Sequence, residues 1–309
     1  MPDHRNRGFE RIAGGDDLSV GVFLPVGTDD AVPEMDGQAE LAARAEERGF
    51  DAVWFRDVPT YWPKFGDAGH VYDPWSFLGH VAAHTEEVAL ATGAVVLPLR
   101  HPLHVAKAAA SVDQLSDGRL VLGVASGDRP PEFPAFDVEM DERGELVRES
   151  VEVLRACWTE SFPELDSQFG TLDGRLDVVP KPVAETVPLF VAGHAQQSRE
   201  WIAEHADGWA QYTFPEDTLE AFVGEYREKT DERKPYVQST RIRLKDDPTA
   251  DAEPIHQGYA AGSEWVREKF DALSAAGVDH VAVGVEAGIP DQTPEAALDR
   301  FATQVLDAR

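Results

Sequence analysis

The chain has 309 residues, 42% hydrophobic and 9% aromatic, which supplies enough apolar surface for a full core and excludes wholesale disorder. Its 57 acidic residues stand against 28 Lys and Arg, and the resulting charge of −29 repels nucleic acid and anionic membrane surfaces. A single cysteine, Cys157, excludes an internal disulfide framework and any multi-cysteine metal site.

The acid is spread through helices and loops rather than gathered in a tail, as in "DVEMDERGELVRE". Such a surface reads as adaptation to a high-salt cytoplasm, where repulsion is screened over about 3 Å at 1 M salt. The opening "MPDHRNRGFERIAGGDD" carries no apolar signal segment. The longest apolar run, Val88 to Leu99, is too short for a bilayer and contains Gly93 and Pro98. The expectation is a soluble, cytoplasmic, halophilic protein with neither a nucleic-acid nor a membrane partner.

Along the chain, residues 1–17 read as an N-terminal extension, and 18–309 as one domain. "LSVGVFLPV" (18–26) is a first strand and "MDGQAELAARAEERGF" (35–50) a helix stopped by Gly49. "DAVWFRDV" (51–58) is a second strand, and "DPWSFLGHVAAHT" (73–85) a helix with Pro74 in its first turn. The third strand (88–97), the helix 101–118, the strand "RLVLGVASG" (119–127) and the helix 141–158 follow. Residues 159–186 break the rhythm, being rich in turn formers with the short apolar pieces of a hairpin. Strands then recur at 187–193, 207–214, 235–244 and 279–288, with helices between them and a last helix at 294–308.

Eight strands alternating with eight helices imply a parallel sheet with right-handed crossovers. The fold class expected is α/β, a (β/α)8 TIM barrel with an insertion between helix 4 and strand 5. No G-x-G-x-x-G follows the first strand, which argues against a dinucleotide fold. In such a barrel the active site lies at the C-terminal strand ends. That rule nominates Pro25, Arg56-Asp57, Thr92 to His101, Ser126, Gly193-His194, Tyr212, Arg241 and Glu286.

Several of these residues have a plainer reading beside the functional one. Asp57 is a carboxylate at the catalytic face or a salt-bridge partner of Arg56. Arg100 and His101 face a ligand or cap the next helix. "VAGHAQQSREW" offers free backbone N–H groups and a helix start to an anion, or Ser198 merely caps its helix. His80 and His84 have zinc-binding spacing, but Val81 stands where a metalloprotease has Glu, which favours packing or surface roles and no metal site.

The stretches "GFDAVWFRD", "TGAVVLPLRHPLHVAKAAASVDQLSDGRLVLGVASG", "VPKPVAETVPLFVAG" and "SAAGVDHVAVG" resemble the bacterial luciferase-like flavin-dependent oxidoreductases, over residues 18–308. The resemblance implies an FMN-dependent monooxygenase or oxidoreductase acting on a small organic substrate with O2. It also implies electrons from a separate NAD(P)H-dependent flavin reductase, and a homodimer. Related barrels use a deazaflavin coenzyme for hydride transfer, which is the alternative; a flavin-binding protein without turnover is another. On the family pattern, Thr92, Gly93 and Ala94 support the flavin ring, with a non-prolyl cis peptide at Gly93-Ala94. The phosphate falls to Ser126, Asp128 through its backbone N–H, His194, Ala195 and Ser198, and Gly193 joins the cofactor-binding residues. Catalytic candidates are Asp57, Arg100 and His101. Two departures stand out: Ser126 replaces an arginine of the luciferases, and their carboxylate-histidine pair reads Asp57-Val58.

Overall fold

The computed structural model describes residues 6–15, 17–26, 35–65, 71–213, 216–230, 234–289 and 292–308. Residues 1–5 and 16 of the expected extension, and Phe214 at the end of an expected strand, lie outside them. The strands are β1 Ser19–Leu24, β2 Ala52–Phe55, β3 Ala89–Thr92, β4 Val95–Val96, β5 Leu120–Ala125, β6 Glu164–Ser167, β7 Gly170–Asp173, β8 Leu189–Ala192, β9 Gly208–Tyr212, β10 Tyr236–Leu244, β11 Glu253–Ile255, β12 Gly258–Ala261 and β13 His280–Glu286. Parallel pairing runs β1–β2–β3–β5–β8–β9–β10–β13 and returns to β1, which closes a (β/α)8 barrel.

Alternation along each strand sets the two cores. Val53, Phe55, Leu90, Leu122 and Val124 face out, into the main apolar cluster shared with the helices. Trp54, Phe190 and Val237 face in, beside the small Ala52, Ala89, Ala91 and Ala282. Mixing large and small inward residues lets a barrel fill without voids. Gly21 shows how tight the fit is: a Cβ there would lie 2.7 Å from His280 Nε2 and 2.8 Å from Trp54 Nε1.

The ring of helices is α2 Gln38–Glu47, α3 Pro74–Ala82, α4 Pro102–Leu115, α6 Arg143–Thr159, α7 Arg199–His205, α8 Glu216–Glu228, α9 Ser263–Ala275 and α10 Pro294–Phe301. Their starts follow local chemistry. Asp73 caps α3 by accepting from the Ser76 N–H, with Pro74 at N1, and Thr293 caps α10 in the same way.

Two helices of the described residues fall outside the sequence expectations: α1 Arg7–Ala13 and the short α5 Glu132–Ala135. The first changes how the amino-terminal residues are understood. Ile12 is 1% exposed and, with Phe9 and Ala13, joins the cluster inside the barrel. Residues 7–13 thus close the N-terminal mouth. They are held by Asn6, which donates to the Asp113 carboxylate and the Leu120 carbonyl at 3.0 Å each.

A polar relay also crosses the barrel floor. Trp54 Nε1 donates to His280 Nε2 at 3.0 Å, His280 Nδ1 meets Ser19 Oγ at 2.7 Å, and Ser19 Oγ donates to the Ile12 carbonyl at 2.6 Å. Burial pushes the His280 imidazole down to a pKa of about 3, so it is neutral and accepts from Trp54. The expected third strand is split: β3 ends at Thr92, the Gly93-Ala94 peptide is cis, and β4 resumes at Val95. Residues 159–186 carry the β6–β7 hairpin, and a second hairpin, β11–β12, follows β10.

Candidate active site

At the C-terminal ends of the barrel strands lies a cavity of about 650 Å³. Its inner wall is aromatic, from Phe23 on β1 and Trp54 on β2. Beside them the backbone of Gly93 and Ala94 is itself part of the wall. A Cβ at position 93 would lie 2.9 Å from the Phe23 ring and 3.2 Å from Trp54, so no side chain fits between this peptide and the aromatic floor. The volume lies within the usual range for cofactor sites, and a flat wall of backbone and indole suits a planar ring system.

Four carboxylates line the cavity, and each stands differently. Asp57 follows β2 with a side chain 1% exposed. Arg100 grips both its oxygens, Nε and a terminal nitrogen each 2.8 Å away, and the Val96 N–H donates at 3.1 Å. The same guanidinium reaches the Asp73 carboxylate at 3.1 Å, so one arginine ties β2, β4 and the start of α3 together. This forked pair is the geometry that binds most strongly, and the partner of Asp57 is Arg100, 43 residues away, rather than its neighbour Arg56. Coulombic pull and hydrogen bonds from Asp57 hold the Arg100 pKa above its ordinary value even though burial, the largest influence, lowers it.

Glu286 ends β13 with one oxygen on Arg241 (3.1 Å) and the other on Arg243 (2.8 Å). Asp128, in the loop after β5, is exposed. Glu132 opens α5 at 2% exposure, with Oε1 accepting from the Thr60 hydroxyl at 2.9 Å and lying 3.4 Å from the Arg129 guanidinium. Arg129 also lies over the Phe65 ring, 4.8 Å from its centroid. The anchor for α5 is Phe133, packed with Val96 and Leu99.

The sequence nominees divide. Asp57, Gly93, Ala94, Ser126, Asp128 and Gly193 line the cavity, as do Pro25, Arg56, Tyr212, Arg241 and Glu286. Arg100 reaches it through Asp57. Five others are placed elsewhere. Thr92 is fully buried, its hydroxyl donating to the Gly123 carbonyl at 2.8 Å instead of facing a ring. His101 caps α4 and meets the Phe169 carbonyl at 3.2 Å, beside a separate pocket of about 100 Å³ against the β6–β7 hairpin.

His194 is exposed, its ring edge-on to Trp209 at 5.5 Å. Ala195 is 6% exposed and sits in the helix-facing core. Ser198 spends its hydroxyl capping α7. The loop 193–198 is instead fixed by buried Gln197, which donates to the Gly144 and Ala195 carbonyls and accepts from Arg148. Sequence reasoning missed Phe23, Trp54 and Glu132. For the first two, inward parity on their strands was the available signal.

A family model described as luciferase-like monooxygenase matches residues 18–305. An uncharacterised protein of Mycobacterium tuberculosis (strain ATCC 25618 / H37Rv) is 37% identical over 195 residues, 58% of this chain and 68% of its own. The F420-dependent glucose-6-phosphate dehydrogenase of Nakamurella multipartita is 31% identical, over 55% of this chain and half of its own length. The alkanal monooxygenase alpha chain of Photorhabdus luminescens is 26% identical, over 54% and 44%. Among solved structures, a monooxygenase from Streptomyces bottropensis superposes with a TM-score of 0.78 at 22% identity, covering 94% of this chain and 99% of its own, a likeness of fold.

Proposed function

The chain belongs to the luciferase-like monooxygenase family, and we propose that it is an oxidoreductase that holds FMN in the strand-end cavity and acts there on a small organic substrate with O2. The observation that carries this reading is the bare Gly93-Ala94 backbone set beside Phe23 and Trp54 in the cavity wall. Bound FMN supplies the two-electron chemistry and, once reduced by a separate NAD(P)H-dependent reductase, the activation of oxygen. The protein's part is positioning and water exclusion. Trp54, fixed from below by His280, presents a rigid floor, and Ser126 and Asp128 line the same cavity for a phosphate.

A deazaflavin coenzyme is the second reading, favoured by relatives named as F420-dependent dehydrogenases, at 31% identity in Nakamurella multipartita and 33% in M. tuberculosis. The two separate in one experiment: titration of the purified protein in molar KCl with FMN and with the deazaflavin coenzyme, followed by coenzyme fluorescence. Saturable FMN binding, tighter than that of the deazaflavin, is expected. Binding of the deazaflavin alone selects the second reading, and binding of neither removes both.

A further inference from the structure

Three of the four cavity carboxylates are spoken for or solvated. Both oxygens of Asp57 are held by Arg100, both oxygens of Glu286 by Arg241 and Arg243, and Asp128 is exposed to water. Glu132 alone combines burial with an unused acceptor. It is 2% exposed, its Oε1 serves Thr60 and Arg129, and its Oε2 has no hydrogen-bond partner among the described residues. Tyr61, Pro63 and Val96 line the same cavity, so apolar surface is available beside the charged groups. Hydrogen bonds to an ionised acceptor are stronger there than in water.

We infer that Glu132 is the carboxylate that meets the substrate, and that the substrate class is a small, largely apolar alcohol whose hydroxyl donates to Glu132 Oε2. The choice of a neutral donor over an ammonium follows from Arg129. Its guanidinium lies 3.4 Å from Oε1, so a second cation brought to the same carboxylate would stand close to a positive charge and be repelled. Tyr61, Pro63 and Val71, on the same cavity but outside the floor assigned to the flavin ring, supply contact area for the apolar remainder. The inference rests on the reading of this cavity as the oxidoreductase site.

Binding of benzyl alcohol, toluene and benzylammonium, measured by calorimetry in molar KCl with and without saturating FMN, tests it. The wild type is expected to bind benzyl alcohol at least about tenfold more tightly than toluene, the value of one hydrogen bond to a buried charged group. Benzylammonium is expected to bind more weakly than the alcohol. Glu132→Gln, which keeps the shape but removes the charge, should cut the alcohol preference to about threefold or less. Glu132→Asp, which keeps the charge but withdraws the oxygens by one methylene, should fall between, and it carries the test if the Gln variant does not fold.

An unchanged preference in either variant, or no preference in the wild type, overturns the assignment of Glu132. Tighter binding of benzylammonium overturns the alcohol class. FMN binding without an alcohol preference would sink this inference alone, whereas failure of coenzyme binding would strike the oxidoreductase reading.

Discussion

The two mouths of the barrel are built on opposite principles. At the N-terminal mouth α1 fills the opening, and the polar side chains beneath it form a closed set. Trp54 leads to His280, His280 to Ser19 and Ser19 to Ile12, while Asn6 holds Asp113. Buried Arg119 adds its own bonds, donating to the carbonyls of Ala82, Thr85, Val88 and Ser116. At the C-terminal mouth there is a cavity of about 650 Å³ with four carboxylates on its wall and an acceptor to spare. One end is arranged for stability and the other leaves surface and polar groups for a ligand, as the barrel fold divides them.

The sharpest way to break the closed end is Gly21→Val. A Cβ at 21 already collides with His280, Trp54 and Ala52 at 2.7–2.9 Å, so the floor must shift. A loss of about 3 kcal/mol or more is expected from denaturant unfolding in KCl, at the upper end for overpacking. Near-native stability would mean that the floor is softer than its contacts imply.

Asp57→Asn asks whether the division holds at the open end. Asp57 lines the cavity, yet its carboxylate is a clamp between β2, β4 and Arg100. The variant is expected to lose roughly 3 kcal/mol of stability, as when a buried pair loses one charge. Arg100→Met should cost a similar amount, and the double variant less than the sum. Additive losses would free Asp57 from its clamp and return it to the catalytic candidates.

Asp113 gives the closed end a pH signature. Burial, the largest influence, raises its carboxyl to about 6, against the hydrogen bonds from Val183, Leu120 and Asn6 that lower it. A pKa raised on folding means stability that is complete below the unfolded value near 4 and lost as the pH rises through about 6. The stability difference between wild type and Asp113→Asn should therefore move in the variant's favour, by up to about 3 kcal/mol, between pH ~3.5 and ~6.5. A constant difference across that window would show that Asp113 ionises freely.

The smallest effect belongs to neither mouth. With a charge of −29, the melting temperature should climb several degrees from dilute buffer to molar KCl as repulsion is screened. A flat or falling curve would remove the halophilic reading.

Much of this was legible in the sequence. Strands such as "DAVWF" and "RLVLGVA" alternate with capped amphipathic helices, and the strand-end rule led to Asp57, Ser126, Gly193, Arg241 and Glu286, all on the cavity. Position at a strand end does not say which way a side chain turns. Thr92 bonds sideways to Gly123, His101 and Ser198 cap helices, and His194 lies on the outside against Trp209. The clamp of Asp57 by Arg100 and the folding of α1 into the barrel floor are contacts across 43 and roughly 100 residues, which no local pattern carries. Glu132 was hidden for another reason: α5 is one turn long, too short for any periodicity.

The most direct test of the central claim, that the open mouth is a flavin site, is a crystal structure of the protein grown in molar KCl with FMN. The ring is expected against the Gly93-Ala94 backbone beside Phe23 and Trp54, with the phosphate toward Ser126 and Asp128. A ring bound anywhere else, such as the small pocket by His101, or an open mouth without FMN in crystals where binding is saturated in solution, would contradict it.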